Sequence, residues 1–119
     1  MSQKKATGFV RLVHATIYSL EGFKSAFQNE AAFRQELFAL SVAAPLGIWL
    51  GQDGMERALL ISSFMMVLVI ELLNSAVEAA IDRIGLDTHP LAKRAKDYGS
   101  AAVFVSLTMA VIIWGLLIF

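Results

Sequence analysis

Residues 71–85 read ELLNSAVEAAIDRIG, and they continue from the uncharged run ALLISSFMMVLVI at 58–70 with no turn residue between. If one helix carries both, its turn of about 100° per residue brings Glu71, Glu78 and Asp82 within about 40° of one another. Asn74 and Ser75 flank this acidic stripe, while Leu72, Leu73, Val77 and Ile81 occupy the other faces. A rise of about 1.5 Å per residue makes the stripe about 16 Å long. A charge at the centre of a bilayer costs about 2.5–3.5 kcal/mol on insertion scales, so acids on so apolar a helix are expected to be engaged by something. The stripe is the first candidate functional site.

Composition supports a membrane setting. Of 119 residues, 57% are hydrophobic and 17% charged, with a mean hydropathy of +0.64. A soluble domain usually carries about 25% charged residues. Ten basic residues balance ten acidic ones, which gives no reason to expect a nucleic-acid partner. The absence of cysteine excludes disulfides, thiol nucleophiles and thiolate metal sites. MSQKKATGFV has two lysines but no apolar core or cleavage site after them, so no signal peptide is expected. Neither GxxxxGK[ST] nor GxGxxG with the other soluble-kinase motifs occurs.

Outward from the stripe, residues 1–7 are polar and expected to fray. Phe9, Val13, Ile17, Leu20, Phe23 and Phe27 then recur at steps of three and four, with Arg11, His14, Tyr18, Glu21 and Ser25 on the other side. This predicts an amphipathic helix, up to about residue 28, lying in the membrane interface. In NEAAFRQE (29–36), Glu30 and Arg34 are spaced for a helical ion pair worth a few tenths of a kcal/mol, about 0.2–0.5. Residues 37–52 are uncharged but short for a span, so the first membrane helix must begin near Ala31. Gln52-Asp53-Gly54 is a tight connection, the second span runs over about 55–83, Gly85 stops it, and Pro90 keeps another helix from starting before Leu91. Residues 98–119 carry no charge and form the clearest span. The fold expected is therefore an all-α membrane protein, one integral-membrane domain with an interfacial helix and three transmembrane helices at about 31–51, 55–83 and 98–119.

Five basic residues precede residue 35, only Arg57 lies in the next connection, and Arg83, Lys93, Arg94 and Lys96 surround the last loop. The positive-inside rule puts the N-terminus and that loop in the cytoplasm. Trp49 and Trp114 then fall at the outer interface, where an aromatic belt is expected. His89 has too few partners for a metal site, and the methionines suit packing. Asp82 comes to the cytoplasmic boundary, Glu78 about a turn deeper and Glu71 deepest, with Glu30 level with Glu78. Hard divalent cations take carboxylate oxygens and keep waters for a phosphate, so Glu30 and Glu78, with Asn74 in reach, are candidates for magnesium. Arg11, Lys93, Arg94 and Lys96 suit polyphosphate, and Glu71 suits a proton taken from a hydroxyl presented at membrane depth. Three spans cannot shield these groups from hydrocarbon, so copies must pack together; Gly99, Ser100, Ala101 and Ala102 offer a close-approach surface.

NEAAFRQE (29–36), ELLNSAVEAAIDRIG (71–85) and RAKDYGSAA (94–102), in that order among three spans, closely resemble the small integral-membrane diacylglycerol kinases of Gram-negative bacteria. The resemblance covers essentially residues 8–119. It implies ATP-dependent phosphorylation of diacylglycerol to phosphatidic acid, magnesium dependence, and a homotrimer in the inner membrane with active sites between subunits, facing the cytoplasm. It further implies Glu71 as general base, Glu30 and Glu78 as metal-bridging carboxylates, and nucleotide contacts from Arg11, Tyr18, Glu30, Asn74, Glu78, Asp87, His89, Lys96 and Asp97. For the lipid it implies Ala32, Phe33, Arg34, Gln35, Glu36, Trp49, Arg57, Glu71, Ser100 and Trp114. Asp87-Thr88-His89 departs from the family's commoner Glu-Tyr-His, and His14 and Glu21 stand where basic residues are frequent. Alternatives are an undecaprenol kinase of the same family, against which NEAAFRQE speaks, a proton-carrying subunit and a non-catalytic assembly subunit.

Overall fold

Three short breaks divide the chain into four helices: α1 (Gly8–Asn29), α2 (Ala31–Leu50), α3 (Gly54–Ile84) and α4 (Pro90–Ile118). The structure is a computed structural model that describes residues 7–119; residues 1–6, with Lys4 and Lys5 and most of the start expected to fray, lie outside the described residues.

Each break has a local cause. Glu30 alone leaves helical geometry, at φ −119° and ψ 107°, and so ends α1 and begins α2. At the second break the Asp53 side chain accepts a hydrogen bond from the Glu56 N–H at 2.8 Å, and Glu56 Oε1 accepts one from the Gln52 N–H at 2.9 Å. This reciprocal arrangement, close to a capping box, satisfies N–H groups that the first turn of α3 leaves over. At the third, His89 Nδ1 accepts from the Leu91 N–H at 3.0 Å and Pro90 is the first residue of α4. Pro90 was expected to hold the helix back to Leu91. Instead it begins it, because a first-turn residue needs no N–H and proline's φ is already helical.

α3 is the central element, with α2 and α4 packed against it. Its buried residues Leu60, Ser63, Val67 and Glu71 follow one another at steps of three and four, a single line along one face. Small residues let the neighbours approach. A Cβ at Gly47 of α2 would stand 3.2 Å from both Leu60 Cβ and Ile61 Cγ1. Near the far end of α4, Trp114 Nε1 donates to the Leu60 carbonyl at 3.0 Å and to Ser63 Oγ at 3.1 Å, and its ring meets Phe64 edge-on at 5.5 Å. Trp114 thus ties α4 to α3. Trp49 remains 78% exposed.

The single chain leaves much apolar surface open. Its accessible area is 9042 Å², against about 6,300 Å² for a compact soluble monomer of this mass. The overall extents are 50 × 42 × 22 Å, the smallest being about two helix diameters. Phe38, Phe104, Val105, Val111 and Leu116 are among the large apolar residues left exposed. Among the described residues, α3 and α4 are long and apolar enough to cross a membrane.

Candidate active site

Where α2 begins, α3 and α4 enclose a cavity of about 280 Å³ lined by Glu30, Ala32, Glu71, Asn74, Ser75, Glu78, Ser100 and Val103. Helical spacing on α3 supplies Glu71, Asn74, Ser75 and Glu78, and the elbow before α2 supplies Glu30. Glu71 is the most secluded acid, 7% exposed. Its charged neighbours are Glu36, Glu78 and Glu30, all of the same sign. Among the described residues no cation and no hydrogen-bond donor is paired with it. Glu30 sits at the first position before α2, but its carboxylate makes no capping bond and lines the cavity instead.

Asn74 links the acids to α4. Its Nδ2 donates to Glu78 Oε2 at 3.4 Å, whereas its Oδ1 is buried with no partner. Gly99 faces that oxygen: a Cβ there would run into Asn74 Oδ1 and come within 3.0 Å of Asn74 Cγ. The close-approach surface expected at residues 99–102 is thus, at its first position, the wall that confines the asparagine amide.

The stripe does not stay together at the C-terminal end of α3. Asp82 lines a second cavity, of about 330 Å³, with Asp87, His89, Lys93, Lys96 and Asp97. Lys96 Nζ pairs with Asp82 Oδ1 at 3.1 Å, and Lys93 Nζ with Asp97 Oδ2 at 2.6 Å. Four residues expected to contact nucleotide (Asp87, His89, Lys96 and Asp97) are therefore gathered here. Both ion pairs are substantially exposed; such pairs are worth only about 0–1 kcal/mol, so their lysines are readily exchanged onto another anion.

The remaining candidates are distributed along α1 and α2. Phe33, 4% exposed, lines an apolar groove of about 680 Å³ with Phe23, Phe27, Leu37, Leu40, Met65, Leu68 and Leu72. A groove of about 590 Å³ adjoins it, lined by Ser19, Phe23, Ser25, Asn29, Glu30, Leu72 and Ser75 among others. It shares Phe23 and Leu72 with the apolar groove, and Glu30 and Ser75 with the acidic cavity. The sequence reading missed the α1 side of these two grooves. Ser25 was legible only as a residue of the polar face. Arg11 and Tyr18 line none of these spaces; both are exposed, and the Tyr18 ring lies 6.2 Å from His14. Gln35 is exposed as well.

Two arginines are held by backbone carbonyls, one of them in place of an expected ion pair. Arg34 makes no ion pair with Glu30; its Nη1 donates to the carbonyls of Phe27 at 2.7 Å and Gln28 at 3.4 Å. Arg57 Nε likewise donates to the Ile48 carbonyl at 3.0 Å. Each reaches back over a break to the end of the preceding helix, where carbonyls lack intrahelical donors.

As a magnesium site, the residues fit in kind. Glu30, Glu78 and the unpartnered Asn74 Oδ1 offer hard oxygen donors. Among the described residues no group of three or more His, Asp or Glu side chains is gathered into a cage.

The sequence profile of prokaryotic diacylglycerol kinase matches residues 17–118. The diacylglycerol kinase of Haemophilus influenzae is 50% identical over 115 residues, covering 97% of this chain and 98% of that protein. That of Escherichia coli K12 is 51% identical over 112 residues, covering 94% and 92%. That of Pseudomonas aeruginosa is 50% identical over 111 residues, covering 93% and 90%. With the profile matched over most of the chain, and half of all positions identical across nearly the whole of each relative, this chain belongs to the prokaryotic diacylglycerol kinase family.

Proposed function

We propose that the chain phosphorylates the hydroxyl of diacylglycerol with ATP, giving phosphatidic acid by direct in-line transfer at the cavity around Glu71. One observation carries the reading: among the described residues a buried carboxylate with no cation or donor of its own lines a cavity of acids, and a groove that shares Glu30 and Ser75 with that cavity shares Phe23 and Leu72 with an apolar groove. The apolar groove suits acyl chains, with Phe33 in its wall, and the groove between suits the glycerol. Glu71 then takes the proton of the attacking hydroxyl as its oxygen bonds to the γ-phosphorus and the bond to the ADP oxygen breaks. Phosphoryl transfer asks little covalent chemistry of a protein, so the remaining work is positioning and charge stabilisation.

Glu30 and Glu78, with Asn74, hold magnesium in this reading. Held there, magnesium would supply neutralisation of phosphate charge. Asp87, His89, Lys96 and Asp97 take the nucleotide, with Lys93 and Lys96 leaving their exposed ion pairs for phosphate. Arg11 and Tyr18 reach nucleotide from α1, and Ala32, Gln35, Glu36, Trp49, Arg57, Ser100 and Trp114 contribute on the lipid side.

The proposed setting is the bacterial inner membrane, with α2, α3 and α4 as spans, α1 in the cytoplasmic interface and the N-terminus inside. A 20-residue α2 is about 30 Å long, which is about the thickness of the hydrocarbon core. Counted from Gly54, Glu71 lies about 26 Å along α3 and Glu78 about 36 Å, so only Glu71 remains within such a core. The thin, apolar single chain supports assembly into a homotrimer, with sites completed between subunits. A labelled-ATP assay of the purified protein with diacylglycerol, undecaprenol and ceramide side by side tests the reading. Magnesium-dependent label in phosphatidic acid is expected, and label only in undecaprenyl phosphate would overturn the substrate assignment.

A further inference from the structure

The elbow between α1 and α2 is one residue long, and that residue is Glu30. Its N–H donates to the Ala26 carbonyl at 2.8 Å and its carbonyl accepts from the Arg34 N–H at 3.2 Å. Both helices thus hold its backbone, while its side chain is left to the acidic cavity. The break strands carbonyls at the end of α1, and α1 has no basic residue in its last turn to complement the negative end of its dipole. Arg34 supplies both needs from the neighbouring helix, through Nη1 on the carbonyls of Phe27 and Gln28. The guanidinium therefore straddles the elbow and ties the end of α1 to the first turn of α2, with Glu30 between the two anchor points.

We propose that Arg34 is a positioning residue for Glu30: its clamp sets the angle of the elbow, and so aims the Glu30 carboxylate across the cavity toward the oxygen donors of Glu78 and Asn74. This rests on the reading of Glu30 and Glu78 as the pair that holds a divalent cation. Neither carboxylate is fixed by a cage of further ligands, so their mutual placement depends on the backbone that carries Glu30. Lysine retains a charge and single donors but not the planar fork, and replaces Arg34 only in part.

The test uses the full chain in detergent, with Arg34→Gln and Arg34→Lys. Three quantities are measured: hydrogen exchange at the Glu30 amide, magnesium-dependent binding of a non-hydrolysable ATP analogue, and the KM for diacylglycerol. Arg34→Gln is expected to accelerate exchange at Glu30 and to raise the magnesium needed for half-maximal binding by about 10- to 100-fold, the range found for groups that orient metal ligands. The KM for diacylglycerol stays unchanged, and Arg34→Lys gives intermediate values of both affected quantities. A raised KM for diacylglycerol with unaltered magnesium dependence would make Arg34 a lipid contact and overturn the proposal, as would unchanged exchange at Glu30. If Arg34→Gln does not fold, Arg34→Lys decides by the same two criteria. If the unaltered protein binds no nucleotide with magnesium, the functional reading fails together with the metal half of this proposal, and exchange at Glu30 still decides whether the clamp exists.

Discussion

Gly99→Ala adds a single carbon at the point where α4 meets the acidic cavity. That Cβ would overlap Asn74 Oδ1 and stand 3.0 Å from Asn74 Cγ and 3.8 Å from Asn74 Cβ. Relief requires a shift of about 1 Å to regain an ordinary C···O contact of about 3.3 Å. Either the amide rotates away, losing its 3.4 Å bond to Glu78 Oε2, or α3 and α4 separate. In folding energy the change is modest, because a helical alanine gains about 1 kcal/mol over glycine and local overpacking costs about 1–3 kcal/mol. Catalysis is more sensitive, since misplacing a reacting group by about 1 Å costs about 100-fold. The expected result is a protein that melts within about 2 kcal/mol of the original while lipid phosphorylation falls by about 100-fold. Gly115→Ala on the same helix is the control, since nothing lies within 4 Å of its added carbon; it keeps turnover. A double-mutant cycle sharpens the test: in an Asn74→Ala background the Gly99 substitution loses most of its effect, because the atoms it strikes are gone. Wild-type turnover and magnesium dependence in Gly99→Ala would refute the claim that Asn74 is held by that contact.

Glu71→Gln removes the one secluded carboxylate without changing its shape, so turnover drops by about 100- to 10,000-fold, as for a lost general base, while ATP binding measured by titration is retained. Glu78→Gln is the opposite case. Magnesium-dependent nucleotide binding weakens by at least about tenfold, the lower end of what even an outer-shell partner is worth, and equal affinity across a magnesium titration would remove Glu78 from the metal site. Trp114→Phe keeps a ring beside Phe64 but loses the indole N–H bonds to the Leu60 carbonyl and Ser63 Oγ. Each such bond contributes about 0.5–1.5 kcal/mol, so a loss of about 1–2 kcal/mol is expected in detergent unfolding; no loss would mean that the tie carries no stability.

The acidic cavity was legible because its residues obey one period on one apolar helix. Glu71, Asn74 and Glu78 fall within reach of one another on any helix drawn through 71–85, and their expense in a membrane makes them conspicuous. Gly99 was legible as a close-approach site, though not its target. What escaped depends on groups that only the fold brings together. Arg34 and Glu30 have ideal helical spacing for a pair, but Glu30 breaks the helix with neither glycine nor proline to announce it, and the guanidinium then finds vacant carbonyls. Asp82 shares the angle of Glu71 on α3 yet faces Lys96, fourteen residues on in the chain and on the next helix. Trp114 finds Ser63 across fifty-one residues, a pairing that no local period encodes.

Along α3 the acids differ in how fully each is already partnered, and this grading is itself an argument about their work. Asp82 has a lysine, Glu78 has a long bond from an amide, and Glu71 has neither. A carboxylate held by a cation has little left to offer a proton, so the end of the helix with Lys96 suits the binding of anions, where one salt bridge is traded for another at little cost. The middle position, weakly held, suits a ligand that must arrive and leave with the nucleotide. Among the described residues on this stripe only Glu71, the most secluded, has no partner at all, which is the state that the proposed role of base requires. Exchanging the charges of Asp82 and Lys96 together should therefore disturb nucleotide binding while leaving the seclusion of Glu71 intact. The same exchange made at Glu71 has no partner to compensate it.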